Sequence, residues 1–323
     1  METVRKFVKL SPFLIFRESP MKKYVAGPIL ILLSVFLVSP AELPAQTQRR
    51  NRLPTACQKV ASLFEKFPKP QPGDWQYEHP EEGQTFSQYL QCHPTTATRQ
   101  RKTLYVQTLG RLSQSDAQVI ATTCEYLGIF YGLPVKTLPE IPDTEVPPSS
   151  RRKNPNDGQL QFHAGHILEK LLPSRTPKDA AAHILFTSTD LWPGEDWNFV
   201  FGLATYRQRI GVWSIARNGD SSNPNEQTEF LRRTLRIAAH ETGHMFTMAH
   251  CISYKCCMNG ANSLTEADAT PLEFCPECLA KLRTASKVEL VPRWKKLETF
   301  YTENGLTAES SFVRKCLQAV EKK

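Results

Sequence analysis

The pattern of apolar and polar residues changes its period several times from residue 103 onward. Stretches in which apolar residues alternate with polar ones, or form short β-branched runs, predict strands. These strands cover 103–110, 133–141, 183–191 and 198–217, with a break near Gln208 in the last. Apolar residues at helical spacing predict two helices, over 113–132 and 160–172.

A third helix is predicted after the turn-like segment 220–225. Polar residues at 227–229 suit a helix start, and Phe230, Leu231 and Leu235 then recur at the spacing of one buried helix face. The elements follow the order strand, helix, strand, helix, strand, strand, helix. That order predicts the α/β (α+β) class, with one mixed, twisted sheet and flanking helices.

The N-terminus has the pattern of an export signal. Two lysines precede an apolar stretch over 25–38 that is short for a membrane span, and small residues follow, with cleavage expected after Ala41 or Ala45. The sequence therefore predicts a signal peptide over 1–45, with Met21 as a natural start, and a periplasmic or secreted protein. The alternative is an uncleaved leader that anchors the chain in a membrane.

Length and charge limit the remaining possibilities. The chain has 323 residues, enough for one catalytic domain over 102–323 preceded by a polar extension over 46–101. Cys57 and Cys92 of this extension could form a disulfide if the protein is exported. The net charge of +8 comes from basic residues that are scattered and not interleaved with aromatic ones, so no nucleic-acid partner is predicted.

Residues 240–250 carry the strongest chemical signal. His240 and His244 lie four apart, so on a helix they share one face and can bind one zinc ion, with Glu241 beside them as a base for a water. His250 would be the third ligand and would leave one coordination position open, as in catalytic zinc sites. The pattern predicts hydrolysis, most simply of a peptide bond. A chance match on a surface helix is the alternative, but the predicted helix is a buried one.

Four cysteines follow His250 as two pairs, Cys251 with Cys256 and Cys275 with Cys278. Four thiolates would fill a tetrahedral zinc site that has no open position, so this site would stabilise the fold of the segment that carries His250. A disulfide or a redox CxxC is the alternative. A redox CxxC usually comes alone at a helix start, which favours the structural zinc site.

Residues 240–278 resemble the archaemetzincins, a branch of the metzincin zinc peptidases. The family signature is HExxHxxGxxHC, four residues, CxM, a spacer of about seventeen and CxxC. This chain has HETGHMFTMAHC, ISYK, CCM, a spacer of sixteen residues and CPEC. The resemblance implies these ligands of two zinc ions: His240, His244 and His250 for the catalytic ion, and Cys251, Cys256, Cys275 and Cys278 for the structural one.

The resemblance also implies roles beyond the ligands. Glu241 would be the general base and acid, Met258 the methionine of the Met-turn beneath the catalytic zinc, and Cys257 no ligand. The resemblance reaches back to about Thr103 and implies a zincin-like catalytic domain with peptide or protein substrates and an aminopeptidase-like preference. It implies 199–204 as an edge strand that binds the substrate backbone. An ordinary core strand is the alternative.

One position departs from the family signature. The glycine after the second histidine is Thr247 here. A positive φ costs glycine nothing, whereas it strains a β-branched residue by about 1–3 kcal/mol. Either Thr247 is strained or the turn uses other dihedral angles, and the geometry of His250 depends on which.

Two functions follow from these residues. The first is a zinc-dependent metallopeptidase in which Glu241 activates a zinc-bound water, with Tyr206 and Tyr254 as candidate donors to the developing oxyanion. The second is a zinc-stabilised module that binds peptide or protein without turnover. Glu241 favours the first, because a protein that only binds has little use for a base, and Thr247 favours the second.

Overall fold

The computed structural model describes residues 52–194 and 197–322. The predicted signal peptide, and the membrane anchor that is its alternative, lie outside these residues. Within the described part of the chain, no helix is both long and apolar enough to cross a membrane. From residue 53 onward the described chain forms one compact unit, so residues 53–101 of the predicted extension pack in the same unit as the predicted catalytic domain. The functional boundary near residue 101 stays a prediction.

The described residues form strands of three to eight residues and helices of three to nineteen residues. The strands are β1 (Thr103–Leu109), β2 (Val135–Thr137), β3 (Arg151–Lys153), β4 (Leu160–His163), β5 (Ala180–Thr187), β6 (Asp190–Trp192), β7 (Gly202–Ala204) and β8 (Ile210–Ser214). The helices are α1 (Thr55–Lys59), α2 (Trp75–Glu78), α3 (Phe86–Gln91), α4 (Gln114–Tyr131), α5 (Ala164–His166), α6 (Gln227–Met245), α7 (Leu264–Asp268), α8 (Pro276–Ser286), α9 (Leu290–Glu303) and α10 (Thr307–Glu321).

The main sheet has five strands in the order β2-β1-β5-β8-β7. The first four run parallel, and β7 runs antiparallel to β8, so the sheet is mixed as predicted. The central strand β5 is buried along its whole length, which explains its continuous apolar run. Strand β7 is the edge strand on the far side, which confirms the predicted edge position for part of 199–204.

The prediction of a single sheet is wrong. A second sheet, in the order β3-β4-β6, holds the end of the predicted strand 183–191. The N–H of Thr189 donates to the hydroxyl of Thr187, and this turn divides the predicted strand into two. Strand β6 then pairs with β4, through Leu191 and Phe162, instead of continuing the first sheet.

The predicted helix over 160–172 is also wrong at its start. Residues 160–163 form β4, which pairs with β3 and β6, and only then does the chain turn through α5 into a π-helix at Ile167–Leu171. A short apolar run suits a buried strand as well as a buried helix, and here the neighbouring strands decided between them.

The two faces of the main sheet are covered by different layers. Along β5, Ile184 and Phe186 face a large core shared with α4, α6 and the C-terminal helices, whereas Leu185 faces a smaller core against the 164–172 turn. Alternate strand residues point to opposite faces, so one strand serves both cores. The larger core also takes in Tyr89 and other residues of the extension.

Candidate functional site

Helix α6 brings His240 and His244 together near its C-terminal end. The helix packs against β7, β8 and α4, and its last three turns are buried. The two rings lie one turn apart, with centroids separated by 4.6 Å and Nε2 atoms separated by 3.0 Å. The helical spacing in the sequence therefore places both nitrogens at one point, as predicted.

The chain leaves α6 through a strained turn at Thr247, whose φ is +68°. The N–H of Thr247 bonds to the carbonyl of His244 and that of Met248 to the carbonyl of Gly243. The turn brings the ring of His250 to within 4.9 Å of the ring of His244, centroid to centroid. Of the two alternatives for this turn, the strained one is found, at a cost of about 1–2 kcal/mol.

The Nδ1 atoms of the two helix histidines are occupied by backbone acceptors. His240 Nδ1 lies 2.8 Å from the carbonyl oxygen of Cys257, and His244 Nδ1 lies 2.7 Å from that of Met248. A carbonyl oxygen only accepts hydrogen bonds, so each Nδ1 carries the hydrogen and each Nε2 keeps its lone pair. Such a second partner is typical of histidines that bind metal.

The three histidines fit a metal ion. One nitrogen from each of His240, His244 and His250 lies within 4.8 Å of the other two. Burial and the neighbouring imidazoles lower the pKa of His240 well below its usual value and that of His244 to about 3. Neutral rings with facing lone pairs 3.0 Å apart repel each other unless a cation lies between them. Three nitrogen ligands suit zinc with an open position.

Glu241 follows His240 on α6 and lies in a nearly closed environment. Its side chain is 9% exposed and makes no hydrogen bond within the described part of the chain. Burial raises the pKa of its carboxyl group to about 8, although the nearby charge of Arg236 lowers it. A carboxyl whose pKa is raised toward neutrality can both take and release a proton there, as general acid–base catalysis requires.

Gly202 of the edge strand β7 packs against Glu241, a contact that sequence reasoning missed. A Cβ atom at Gly202 would lie 3.1 Å from the Cγ of Glu241 and 2.9 Å from the Cβ of Trp213. The glycine thus lets the strand backbone approach the carboxyl group. A glycine inside a strand pattern often marks such a close approach, and this signal was available in the sequence.

Met258 packs beneath the helix turn between the two histidines. It is fully buried, and its Sδ lies only 2.6 Å from where a Cβ atom on Gly243 would be. Its carbonyl accepts from the N–H of Cys251, which ties this apolar floor to the cysteine segment. Met258 therefore lies against the helix turn that carries the two histidines, and its role as the Met-turn methionine stays a prediction.

The four predicted cysteines form a second cluster. Their sulfur atoms lie within 4.8 Å of one another and all four residues are buried; they are Cys251, Cys256, Cys275 and Cys278. The Sγ of Cys256 accepts from the N–H groups of Met258 and Cys275, at 3.4 and 3.2 Å. Sulfurs of Cys251 and Cys275 are 3.6 Å apart, too far for a disulfide of about 2.05 Å. The donor set fits a tetrahedral zinc ion.

Other cysteines stand apart from this cluster. Cys257 points back to α6, where its thiol donates to the carbonyl of Arg236 at 3.6 Å. The disulfide suggested between Cys57 and Cys92 is not formed, and both are free thiols. Cys57 is fully buried in the core, where burial raises its pKa to about 12, while the thiol of Cys92 donates to the carbonyl of Tyr89.

The two candidate tyrosines are separated by the fold. The ring of Tyr206 lies against the ring of His244, with centroids 5.6 Å apart, and remains 43% exposed. Its pKa is raised to about 12 by partial burial and by the charges of Glu81 and Glu241. Tyr254 instead packs against Phe64 of the extension. Only Tyr206 is therefore placed beside the histidines.

Glu81 is the functional candidate that sequence reasoning did not find. Its carboxylate lies 2.8 Å from Nδ1 of His250, across 169 residues of chain. A glutamate in a polar, proline-rich stretch carries no periodic or motif signal. Only the folded chain shows that it reaches the third histidine.

Comparison with known proteins identifies the family of this chain. A sequence model for peptidase family M54 matches residues 163–284. Human Archaemetzincin-2 is 35% identical over 274 residues, covering 75% of this chain and 76% of that protein. The chain belongs to the archaemetzincin family. Human Archaemetzincin-1 is 29% identical over 255 residues, covering 69% of this chain and 50% of that one. A crystal structure of archaemetzincin from Methanopyrus kandleri has a TM-score of 0.46 at 25% identity, covering 59% of this chain and 98% of that one.

Membership in the archaemetzincin family makes the protein a metallopeptidase, a hydrolase that acts on peptide or protein substrates with zinc as its family metal. The family match over 163–284 contains both candidate metal centres and the edge strand β7. Glu81 lies outside that match.

Proposed function

We propose that this chain is a zinc-dependent peptidase that binds two zinc ions, a catalytic one at the three histidines and a structural one at the four cysteines. The convergence of three imidazole nitrogens, with the buried carboxyl of Glu241 next to His240 on the same helix, carries the proposal. The cysteine cluster supports the second ion, because four buried sulfur atoms within 4.8 Å of one another suit a closed thiolate site.

The chain's own residues supply the proton transfer. When bound, a zinc ion would polarise the scissile carbonyl and lower the pKa of water to about 7. Glu241 takes the proton from the attacking water and passes it to the leaving amine. The absence of a hydrogen-bond partner among the described residues leaves both its oxygens free for that task. Tyr206, beside His244, is the proposed donor to the carbonyl oxygen as negative charge develops there.

Strand β7 is the proposed platform for the substrate backbone. It ends the main sheet, so among the described strands only β8 pairs with it. An extended peptide can add to such an edge through main-chain hydrogen bonds. Gly202 would then hold that peptide beside Glu241, where the base is needed.

The proposal is tested by Glu241→Gln in the full chain. We expect hydrolysis of a peptide library to fall by about 10²–10⁴-fold, because the amide cannot accept a proton, while zinc content stays at the wild-type value. Glu82→Gln is the matched control, since Glu82 is exposed and next in sequence to the site's Glu81. Wild-type turnover in Glu241→Gln would show that Glu241 is not the base.

Metal analysis separates the peptidase from the alternative, a zinc-stabilised binding module. We expect two zinc ions per wild-type chain and one in His244→Ala, because a pair of imidazoles no longer holds the ion tightly. One zinc in both proteins would assign the metal to the cysteines alone and favour the binding module.

The aminopeptidase-like preference, taken from the family resemblance, needs its own assay. Matched peptides with free and acetylated N-termini distinguish the two modes. We expect cleavage of the free peptide only, and equal cleavage of both would assign an endopeptidase.

A further inference from the structure

The three candidate ligands differ in what holds them. His240 and His244 donate to backbone carbonyls at Cys257 and Met248, which belong to the same catalytic segment. His250 instead donates to both oxygens of Glu81, at 2.8 and 2.9 Å. This is the one candidate ligand, among the described residues, whose orienting partner is a side chain.

We propose that Glu81 is a positioning residue for His250, and that residues 81–95 clamp the turn that presents this histidine to zinc. The inference rests on the proposed zinc site. A carboxylate that accepts from Nδ1–H fixes the tautomer and the ring angle, and it makes Nε2 a stronger donor to the metal. Both side chains are mostly shielded, at 16% and 17% exposed, which strengthens this contact.

Glu81 is not among the side chains whose donor atoms converge at the candidate histidine site. It contacts only Nδ1 of His250, whereas the Nε2 atoms of His240 and His244 face each other at 3.0 Å. The contact therefore fits a residue that acts on the histidine and not on the metal. An inhibitory segment would instead place its donor at the point where the nitrogens converge.

The rest of the clamp, residues 81–95, holds the strained turn itself. Gln84 donates to the carbonyl of Thr247 and accepts from the N–H of Ala249. The N–H of Thr95 donates to the hydroxyl of Thr247 at 3.0 Å, and the hydroxyl of Tyr89 donates to the carbonyl of Phe246 at 3.0 Å. These bonds explain how a threonine is tolerated at a left-handed position where the family has glycine.

The clamp is in turn anchored on the cysteine segment. The N–H of Phe86 donates to Glu277 at 2.6 Å, and the ammonium group of Lys281 donates to the carbonyl of Gln84. Both partners lie on α8, the helix that carries Cys278. Just before the clamp, Trp75 packs on the backbone of Gly260 beyond the Met-turn. Glu81 thus projects from a segment fixed at both ends.

Metal affinity tests this role without relying on turnover. In the full chain, zinc affinity is measured by competition with a chromophoric chelator, and the histidine site is then loaded with cobalt(II) for visible spectroscopy. We expect Glu81→Ala to weaken the histidine site by about 10–100-fold and to shift its cobalt bands, with the thiolate site unchanged. Glu82→Ala, at the exposed neighbouring position, should match wild type.

Glu81→Gln separates positioning from general structural support. An amide oxygen still accepts from Nδ1–H but lacks the charge, so we expect it to restore the cobalt bands and only part of the affinity. Wild-type affinity and spectrum in Glu81→Ala, while His244→Ala loses one metal, would overturn the positioning role and leave the peptidase intact. Failure of wild type itself to load the histidine site would instead overturn the proposed function.

Discussion

The two candidate metal centres share a segment but are built in different ways. All four cysteines lie between residues 251 and 278 and are buried, and the Sγ of Cys256 accepts from two N–H groups of the same segment. The histidine centre takes two residues from α6 and a third from beyond a strained turn, and its third member depends on a carboxylate 169 residues away.

The contrast teaches what an open site requires. A closed set of four thiolates supports its own geometry through bonds along the local chain. A site that keeps one coordination position free has fewer protein ligands, so its geometry depends on neighbours: a floor at Met258, an edge strand at Gly202 and a carboxylate at Glu81.

Truncation of one cysteine should have the largest effect on stability. We expect Cys275→Ala to lower the free energy of unfolding by more than about 4 kcal/mol, because it removes a ligand from a site that stabilises the fold. Cys257→Ala, a buried thiol outside the cluster, should cost only about 1 kcal/mol. Denaturant unfolding measures the stability of both variants. Equal losses in the free energy of unfolding would show that the cluster contributes no more than other buried thiols.

Crowding the edge strand should damage the histidine centre while sparing the cysteine cluster. In Gly202→Ala the new methyl group would collide with Trp213 and Glu241. We therefore expect the free energy of unfolding to fall by about 1–3 kcal/mol. Turnover should fall by about 10–100-fold, while the zinc content stays unchanged. Gly194→Ala is the control, because nothing lies within 4 Å of its added carbon. Full turnover in Gly202→Ala would show that the strand does not constrain the base.

Substitution of Thr247 should have the smallest effect and should sharpen the role of the turn. Thr247→Ala keeps the left-handed backbone strain and removes the hydroxyl that bonds to the N–H of Thr95 and to the carbonyl of Tyr206. We therefore expect the free energy of unfolding to fall by about 1–2 kcal/mol. Thr247→Gly should recover about 1 kcal/mol of that loss, because glycine adopts positive φ freely. If glycine is as destabilising as alanine in thermal unfolding, the turn is not strained.

Sequence patterns predicted the helices that have strong local signals. They gave a wrong assignment where strand pairing with distant residues determines the structure. Helix α4 lies within one residue of its predicted bounds at each end, and α6 begins at its predicted start, because spacing and caps are local properties. The run 160–172 was assigned to a helix, yet its first residues pair with β3 and β6. The positive φ at Thr247 was one of two alternatives, and only the turn's surroundings selected it.

The sequence by itself determined the identity and order of the candidate ligands, because HExxH, the extended histidine and the cysteine pairs are local patterns tied to coordination chemistry. Only the tertiary structure decided what orients them. The bond between Glu81 and His250, the approach of Gly202 to Glu241 and the clamp on Thr247 join residues far apart in the chain. Such contacts produce no periodic pattern in the sequence, because they depend on how distant segments pack against one another.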